Sequence, residues 1–316
     1  MKAEPALKVG PMDDDFETNR RRLAARIARW TGDAEQVRPA IAGLTLHRHT
    51  HADSPFDCLM EPAIAVPVQG VKQTWLGSEV YAYDRHRFLL TSLDLPVAMR
   101  VAQASLDLPF LSVVLRLDSR TISDIVVETG LQHPRERAAN GAGIVLGKTT
   151  AGLLSALDRL IGLLDEPELL PVLAPLLQRE IFYRLLRSDV KAHVWQMASI
   201  ADQNQSIARA IDWLKNHFRE PLRIGEVAAQ VGMSVSRFHH HFKRLTSMSP
   251  LQFQKWLRLT EARRLMLTKG LNASTVAYEV GYESPSQFNR EYARQFGTPP
   301  HRDVAELMPH AAVPVG

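Results

Sequence analysis

Polar side chains near the C-terminus are spaced so that they lie along one side of a helix. Phe238, Phe242 and Leu245 follow an i, i+4, i+7 pattern, which places them on its inward face. The outward face then carries hydrogen-bond donors of the kind that contact phosphates and base edges in a DNA major groove. The predicted contact residues are Ser236, Arg237, His239, His240 and Lys243.

A second segment repeats this plan, with Phe288, Tyr292 and Phe296 on the inward face. Glutamine and asparagine read adenine and arginine reads guanine, and each good bidentate pair gives about 1–3 kcal/mol of discrimination. This segment therefore carries stronger base-reading chemistry than the first. The predicted contact residues are Ser286, Gln287, Asn289, Arg290 and Arg294.

Short upstream helices and tight turns must position the two sets of predicted contact residues. The stretch from Ala228 to Gly232 recurs 49 residues later as Ala277 to Gly281, and each glycine supplies a turn. Ser234 and Ser284 are placed to cap the helices that follow, with Pro285 at the first helical position. The pattern predicts two helix-turn-helix motifs, residues 224–245 and 274–296, in an all-α domain of residues 205–306 with a tail of residues 307–316.

A continuous helix over residues 250–268 is expected to join the two motifs. Its apolar residues, which would pack against both motifs, are Phe253, Trp256, Leu257 and Leu265. At ~1.5 Å per residue this helix is nearly ~30 Å long, close to the ~34 Å repeat of B-DNA. Two recognition helices held at that spacing can enter successive major grooves.

Charge and composition agree with a DNA-binding domain near the C-terminus. They also exclude an intramolecular disulfide, a cysteine-rich zinc site and a membrane span. Residues 201–316 hold 15 Lys/Arg against 10 Asp/Glu, whereas residues 1–200 hold 23 against 24, so the basic excess accompanies the motifs. A length of 316 residues predicts at least two domains. A single cysteine, Cys58, excludes an intramolecular disulfide and a cysteine-rich zinc site and indicates the cytoplasm. No apolar run approaches the ~18 residues of a membrane span.

The upstream half predicts strands, so the expected fold class is α+β. From about residue 43 to residue 117, short segments rich in Val, Leu, Thr and aromatics are separated by Gly and Pro, which is typical of a small β-barrel. Tight turns are expected at Gly70 and Gly77. The candidate strands of this domain, residues 41–120, are residues 44–50, 63–69, 71–76, 87–91, 97–104 and 110–117.

Helical periodicity flanks the barrel on both sides. A helical arm is expected over residues 1–40, in which three aspartates precede arginines between Arg20 and Arg29 that we interpret as a solvated face rather than a phosphate contact. Residues 121–200 predict an αα-hairpin linker interrupted at Glu166-Pro167. The hairpin is either intramolecular core or the seam of a dimer, and periodicity favours neither. The main hypothesis is a dimer formed through residues 150–190. The apolar residues of the first helix are Leu153, Leu157, Leu160, Ile161 and Leu164, and those of the second are Leu176, Leu177, Ile181 and Leu185.

Three histidines of the barrel segment, His47, His49 and His51, alternate along the sequence. On a strand they would share one face, an arrangement that metal ligation could use. The further carboxylate and histidine that such a metal site would need are not at the required spacing, so structural or solvent-facing histidines are favoured.

Two other features have chemical potential. The triplet His239-His240-His241 suits a metal poorly, since consecutive helical residues point about 100° apart. Cys58 is a candidate redox- or effector-responsive thiol, but neither a lysine, an arginine nor a histidine lies within two residues of it. A buried, small apolar role is therefore favoured for Cys58.

The C-terminal part of the chain resembles the AraC/XylS family of bacterial transcription factors. By position, the resemblance implies base contacts at Ser236, His239, His240, Ser286, Gln287 and Arg290. The residues that carry it, in family order, are Ala228 to Gly232, Met233-Ser234, Phe238, Phe242-Lys243, Ser249-Pro250, Glu261-Ala262-Arg263, Val276-Ala277 to Gly281-Tyr282, Ser286-Gln287-Phe288 and Phe296-Gly297-Thr298-Pro299-Pro300.

Residues 55–117 also resemble the cupin-like N-terminal domain of one subgroup of these regulators. The resemblance implies an activator that senses an unidentified small molecule or chemical signal, forms a homodimer, binds double-stranded promoter DNA and contacts RNA polymerase. No enzymatic activity, cofactor, metal site or membrane contact is expected. The alternative is a cupin-type metal enzyme fused to a DNA-binding domain. The residues that carry this second likeness are Glu61-Pro62, Val68-Gln69-Gly70, Lys72, Leu76-Gly77 and Leu95-Pro96.

Overall fold

The computed structural model describes residues 14–132, 143–198 and 203–311. The chain divides into two units, the first formed by residues 1–56 and 60–200 and the second by residues 57–59 and 201–316. The beginning of the expected N-terminal arm, through Asp13, lies outside the described residues. Within the described part, no helix is both long and apolar enough to cross a membrane.

Two β-sheets form the body of the first unit. Their strands are β1 (Gln36–Val37), β2 (Leu44–His49), β3 (Phe56–Met60), β4 (Ala63–Gln69), β5 (Val71–Leu76), β6 (Glu79–Tyr83), β7 (Arg87–Thr91), β8 (Leu95–Gln103), β9 (Phe110–Arg116) and β10 (Ile144–Lys148). The larger sheet has the order β1-β2-β9-β4-β7-β10 and the smaller the order β3-β8-β5-β6. All six strands expected from the sequence are confirmed, and Gly70 and Gly77 turn with φ of +78° and +61°.

Strand β10 lies within residues 121–200, where the sequence predicted only helices. It pairs antiparallel with β7, so that Gly147 lies opposite Phe88. A Cβ on Gly147 would lie 2.3 Å from the Phe88 ring, so the ring occupies the space that a side chain would need. A five-residue edge strand with a glycine has too little alternation to stand out as a pattern.

One face of the six-stranded sheet is covered by helices. Leu46 and Val113 alternate with residues of the opposite face and pack against Leu23 and Ile27 of α1 (Asp14–Thr31). The other helices of this unit are α2 (Ser119–Thr129), α3 (Ala151–Gly162), α4 (Leu170–Leu186) and α5 (Lys191–Ala198). This core excludes water from one side of the barrel strands.

Helices α3 and α4 form the expected hairpin, and its first apolar face is core. Leu153, Leu157, Leu160 and Ile161 are all buried with the sheet and α1. The dimer-seam interpretation is therefore wrong for α3. Helix α4 buries Ile181 and Phe182 but exposes Val172, Leu176 and Tyr183 to solvent.

The arginine run on α1 faces solvent as expected, since Arg21, Arg22 and Arg29 are exposed, and it is also ion-paired. Arg22 and Arg26 donate to the two carboxylate oxygens of buried Asp158 on α3, at 2.6 and 2.9 Å. Arg26 and Arg29 also pair with Asp165 just beyond α3. The arginines therefore fix α1 to the helical layer.

The second unit is helical. Its elements are α6 (Gln203–His217), α7 (Ile224–Gln230), α8 (Val235–Thr246), α9 (Pro250–Lys269), α10 (Ala273–Glu279), α11 (Pro285–Phe296) and α12 (Pro300–Ala311). Helix α9 confirms the expected continuous connector, with a capping box between Ser249 and Gln252 at its start. Helix α12 runs into the segment expected to be a tail.

Candidate nucleic-acid interface

The first motif folds as its residues predict. Gly232 turns the chain between α7 and α8 with φ of +70°, and the hydroxyl of Ser234 accepts from the backbone N–H of Arg237 at the start of α8. Phe238 and Phe242 are fully buried, with their rings 5.5 Å apart. These contacts fix the inner face of α8 and leave its other side to solvent.

The second motif repeats this geometry with one difference at the cap. Gly281 turns with φ of +90°, and Phe288 and Tyr292 of α11 are fully buried. Ser284 occupies the N-cap position, but among the described residues its hydroxyl makes no capping hydrogen bond. Pro285 is at the first helical turn, where its missing N–H costs no hydrogen bond.

The predicted contact residues lie on the solvent side of α8 and α11. Nine of the ten are exposed, and only His239 is half-buried. By helical periodicity, one row on α8 lies opposite the buried phenylalanines, namely Ser236, His240 and Lys243. The corresponding row on α11 is Ser286, Arg290 and Arg294. Arg237, His239, Gln287 and Asn289 flank these rows.

Arg244 was missed by the sequence interpretation. It is exposed and lies 50 residues before Arg294, just as His240 lies 50 residues before Arg290. The duplication itself carries the signal that would have found it. Arg244 adds a basic side chain beside the row on α8.

The carboxylate of Glu291 on α11 accepts hydrogen bonds from three side chains around it. Glu291 accepts from the ammonium of Lys255 on α9 at 2.7 Å, from the hydroxyl of Tyr282 at 2.8 Å and from the side-chain amide of Gln287 at 3.2 Å. Burial by itself raises the pKa of Glu291, but these three donors outweigh burial and lower that pKa below its usual value. The carboxylate is therefore ionised at neutral pH.

Two further charged groups fix the second motif against its surroundings. The guanidinium of Arg258 on α9 donates to the carbonyl oxygens of Phe218 and Gly281, at 2.6 and 2.8 Å. Asp303 on α12 accepts from both Arg263 and buried Tyr292. Backbone carbonyls and a buried carboxylate are thus satisfied, and α11 is held from both ends.

The interior between the two sheets is polar at one place. His49 is in register with Phe110, and the ammonium of Lys72 from the other sheet lies 5.8 Å from the centre of the Phe110 ring. His47 stacks on His49 with ring centroids 6.3 Å apart. Burial, and next the positive charge of Lys72, lowers the pKa of His47 to about 3, so this ring is neutral.

The expectation that His47, His49 and His51 share one strand face holds for the first two and is wrong for His51. β2 ends at His49, and His51 is exposed beyond it. Within the described ranges, no cluster of three or more His, Cys, Asp and Glu residues has the geometry of a metal site. Cys58 is half-buried on β3, more accessible than the buried position favoured for it.

These features define a class of protein: two helix-turn-helix motifs rigidly joined in one helical unit, accompanied by a unit built on facing β-sheets. Residues 40–193 match the family profile described as "AraC-type transcriptional regulator N-terminus", and residues 227–304 match a helix-turn-helix domain profile. The chain belongs to the AraC family of transcriptional regulators.

Similar proteins and structures agree with this assignment. The HTH-type transcriptional activator RhaS of Pectobacterium atrosepticum is 25% identical over 150 residues, which cover 47% of this chain and 52% of RhaS. RhaS of Escherichia coli strain SE11 is 29% identical over 94 residues, covering 30% of this chain and 34% of RhaS. The chain thus spans about half the length, or less, of the curated relatives it matches.

The fold of most of the chain is also similar to solved structures. An apo ToxT variant from Vibrio cholerae superposes with a TM-score of 0.54 at 10% identity, covering 85% of this chain and 99% of ToxT. Wild-type ToxT with an unsaturated fatty acid bound gives a TM-score of 0.51 at 11% identity, covering 84% of this chain and 94% of ToxT. At this identity the likeness establishes the fold.

Proposed function

We propose that this protein is a sequence-specific DNA-binding activator of transcription. The observation that carries the proposal is the duplicated pair of recognition helices, α8 and α11, each with a buried aromatic face and an exposed row of hydrogen-bond donors. The match of both parts of the chain to regulator profiles supports it. The rows on α8 and α11 read base edges in successive major grooves of promoter DNA, α9 setting their spacing.

The first unit supplies control by a small molecule. Support comes from the polar interior beside His47, His49 and Lys72, where the apolar wall of Phe110 adjoins hydrogen-bonding groups. A few polar groups in an apolar enclosure are typical of ligand sites. The fatty acid bound to ToxT shows that one protein of this fold takes a small organic ligand.

A second copy of the chain is the proposed partner of α4. Val172 and Leu176, which are 66% and 57% exposed, share one helical face with Tyr183. Such a stripe self-associates about a two-fold axis, because a symmetric dimer uses the same patch on both subunits. The resulting homodimer acts in the cytoplasm, contacts RNA polymerase from its promoter site and has no enzymatic activity.

Fluorescence anisotropy tests the central proposal. Duplexes recovered by selection from a randomised library are titrated with the full-length protein and compared with a random duplex at several salt concentrations. We expect tighter binding to the selected duplex and a linear fall of log affinity with log salt, since basic side chains displace counterions from phosphates. Equal affinity for selected and random duplexes would contradict sequence-specific function.

A further inference from the structure

Gln287 occupies an exposed position on α11 beside a carboxylate that constrains it. Its amide nitrogen lies 3.2 Å from an Oε1 that also accepts from Lys255. An ionised carboxylate has only acceptor lone pairs and no proton to donate. The group that faces Glu291 must therefore be the NH₂ of Gln287, whichever way the amide is drawn.

The carboxylate itself is fixed from two other elements. Lys255 reaches it from α9, and Tyr282 reaches it from the turn before α11. The centre of the Tyr282 ring lies 5.4 Å from that of buried Phe288, and the Arg258 guanidinium lies 5.7 Å from the centre of the Tyr282 ring. Glu291 is thus held in place by Lys255 and Tyr282, two donors that lie outside α11.

An amide bound in this way through one N–H leaves its carbonyl oxygen and its second N–H free. In the major groove, hydrogen-bond donors come from the N6 amino group of adenine and the N4 amino group of cytosine, whereas guanine and thymine present acceptors. An unconstrained glutamine can rotate by 180° and donate to those acceptors. A glutamine held by Glu291 cannot rotate in this way without losing that bond. Its second N–H still donates, but guanine or thymine would then place an acceptor against its fixed carbonyl oxygen.

We propose that Glu291 is a positioning residue that makes Gln287 select a base with an exocyclic amino group, adenine or cytosine, at one position of the operator. This inference rests on the proposed DNA-binding function. The first motif has no equivalent, since the residues 50 positions earlier are Arg237 and His241. Selection of this kind is therefore confined to the half-site read by α11.

The test uses the full-length protein and the duplex obtained by selection. All four base pairs are placed in turn at every position of that duplex, and affinities are measured for the wild type and for Gln287→Ala, Glu291→Gln and the double variant. Gln287→Ala identifies the base pair that Gln287 reads. At that base pair we expect the wild type to prefer adenine or cytosine by about tenfold.

In Glu291→Gln the neighbouring amide both donates and accepts, so Gln287 is released. We expect the preference at its base pair to disappear while preferences at all other positions remain. In the Gln287→Ala background, Glu291→Gln should change nothing at that base pair, because the two effects are coupled. A merely structural role of Glu291 would instead weaken binding at every position and in both backgrounds.

Tyr282→Phe is the matched control, since it removes another donor to Glu291 and leaves the Gln287 contact in place; it should keep the base preference. Three results would overturn the inference: an unchanged preference in Glu291→Gln, a uniform loss across all positions, or a Gln287→Ala variant with wild-type preferences. In each of these the wild type still binds specifically. Failure of the wild type to bind specifically would contradict the proposed function itself.

Discussion

Arg290 is the side chain whose loss best separates base reading from attraction to phosphate. It is exposed opposite buried Phe288 on α11, where a guanidinium can contact guanine in bidentate fashion. We expect Arg290→Ala to weaken binding to the selected duplex by about 1–3 kcal/mol and to relax the preference at one base pair. Anisotropy titrations on the duplex variants measure both effects.

The control for Arg290→Ala is Arg209→Ala, which removes an exposed arginine of α6, outside both recognition helices. It should change affinity for selected and random duplexes alike and leave every base preference intact. Equal loss of both affinities in Arg290→Ala would show that Arg290 contacts only phosphate.

His47 predicts a pH dependence of stability. Burial first, and then the charges of Lys72, His49 and Arg38, lower its pKa from 6.5 to about 3. Between those values the unfolded chain binds a proton that the folded chain does not, so the free energy of unfolding falls as pH falls. The contribution of one such group is at most about 1.4 kcal/mol per pH unit.

Chemical denaturation of the wild type and of His47→Gln, from pH 7 to pH 4, isolates this contribution. Other groups titrate equally in both proteins, so the difference between the two curves reports His47. We expect the wild type to lose more stability on acidification than the variant. Parallel curves would show that His47 is not shielded from protonation in the folded protein.

At the scale of elements, Gly232 and Gly281 occupy the same turn in the two motifs but have different neighbours. Both have positive φ, but a Cβ on Gly281 would lie 2.1 Å from the carbonyl oxygen of Arg219, whereas nothing lies within 4 Å of one on Gly232. We expect Gly232→Ala to cost about 1–2 kcal/mol, the cost of a left-handed conformation. Gly281→Ala should cost clearly more, because the backbone must also move.

Thermal and denaturant unfolding of the two variants measures this difference. Gly281→Ala should also lose DNA affinity, since its carbonyl is bound by Arg258, which connects the turn to α9. Equal destabilisation by the two substitutions would contradict the steric argument.

Helices and strands with strong periodicity were predictable from the sequence alone. The inner faces of α8 and α11, the connector α9 and six barrel strands follow from spacing, because each buries a repeated apolar pattern. The edge strand β10 was not predictable, since its pairing with β7 is decided by the space beside Phe88. Local pattern does not contain such a tertiary contact.

The ion-pair partners of charged side chains also could not be predicted from residue spacing. Arg22 and Asp158 are far apart in the sequence, and so are Lys255 and Glu291, yet each pair is joined in the fold. The sequence predicts Gln287 as a contact residue, but its hydrogen bond to Glu291 depends on the elements that converge on that carboxylate. Residue spacing therefore located α8 and α11, whereas the contacts around their exposed side chains follow only from the fold.

At the scale of the whole molecule, the proposed homodimer would set how strongly two sets of motifs act together. A dimer that occupies two sites on one duplex gains avidity, because its second binding event is intramolecular. The α4 stripe centred on Leu176 is the proposed seam, and α3 contributes nothing to it since its apolar face is core. Breaking the seam should therefore affect two-site duplexes only.

Leu176→Glu places a charge in the seam and should convert the dimer into a monomer in sedimentation equilibrium, because burial of an unpaired carboxylate is unfavourable. Affinity for a duplex with one site should stay at the wild-type value, while affinity for a duplex with two sites should fall by about a hundredfold. Leu106→Glu, at an apolar residue that is also exposed but lies outside α4, should change neither property. A Leu176→Glu protein that remains dimeric would show that α4 is not the interface and that the two-site advantage arises elsewhere in the chain.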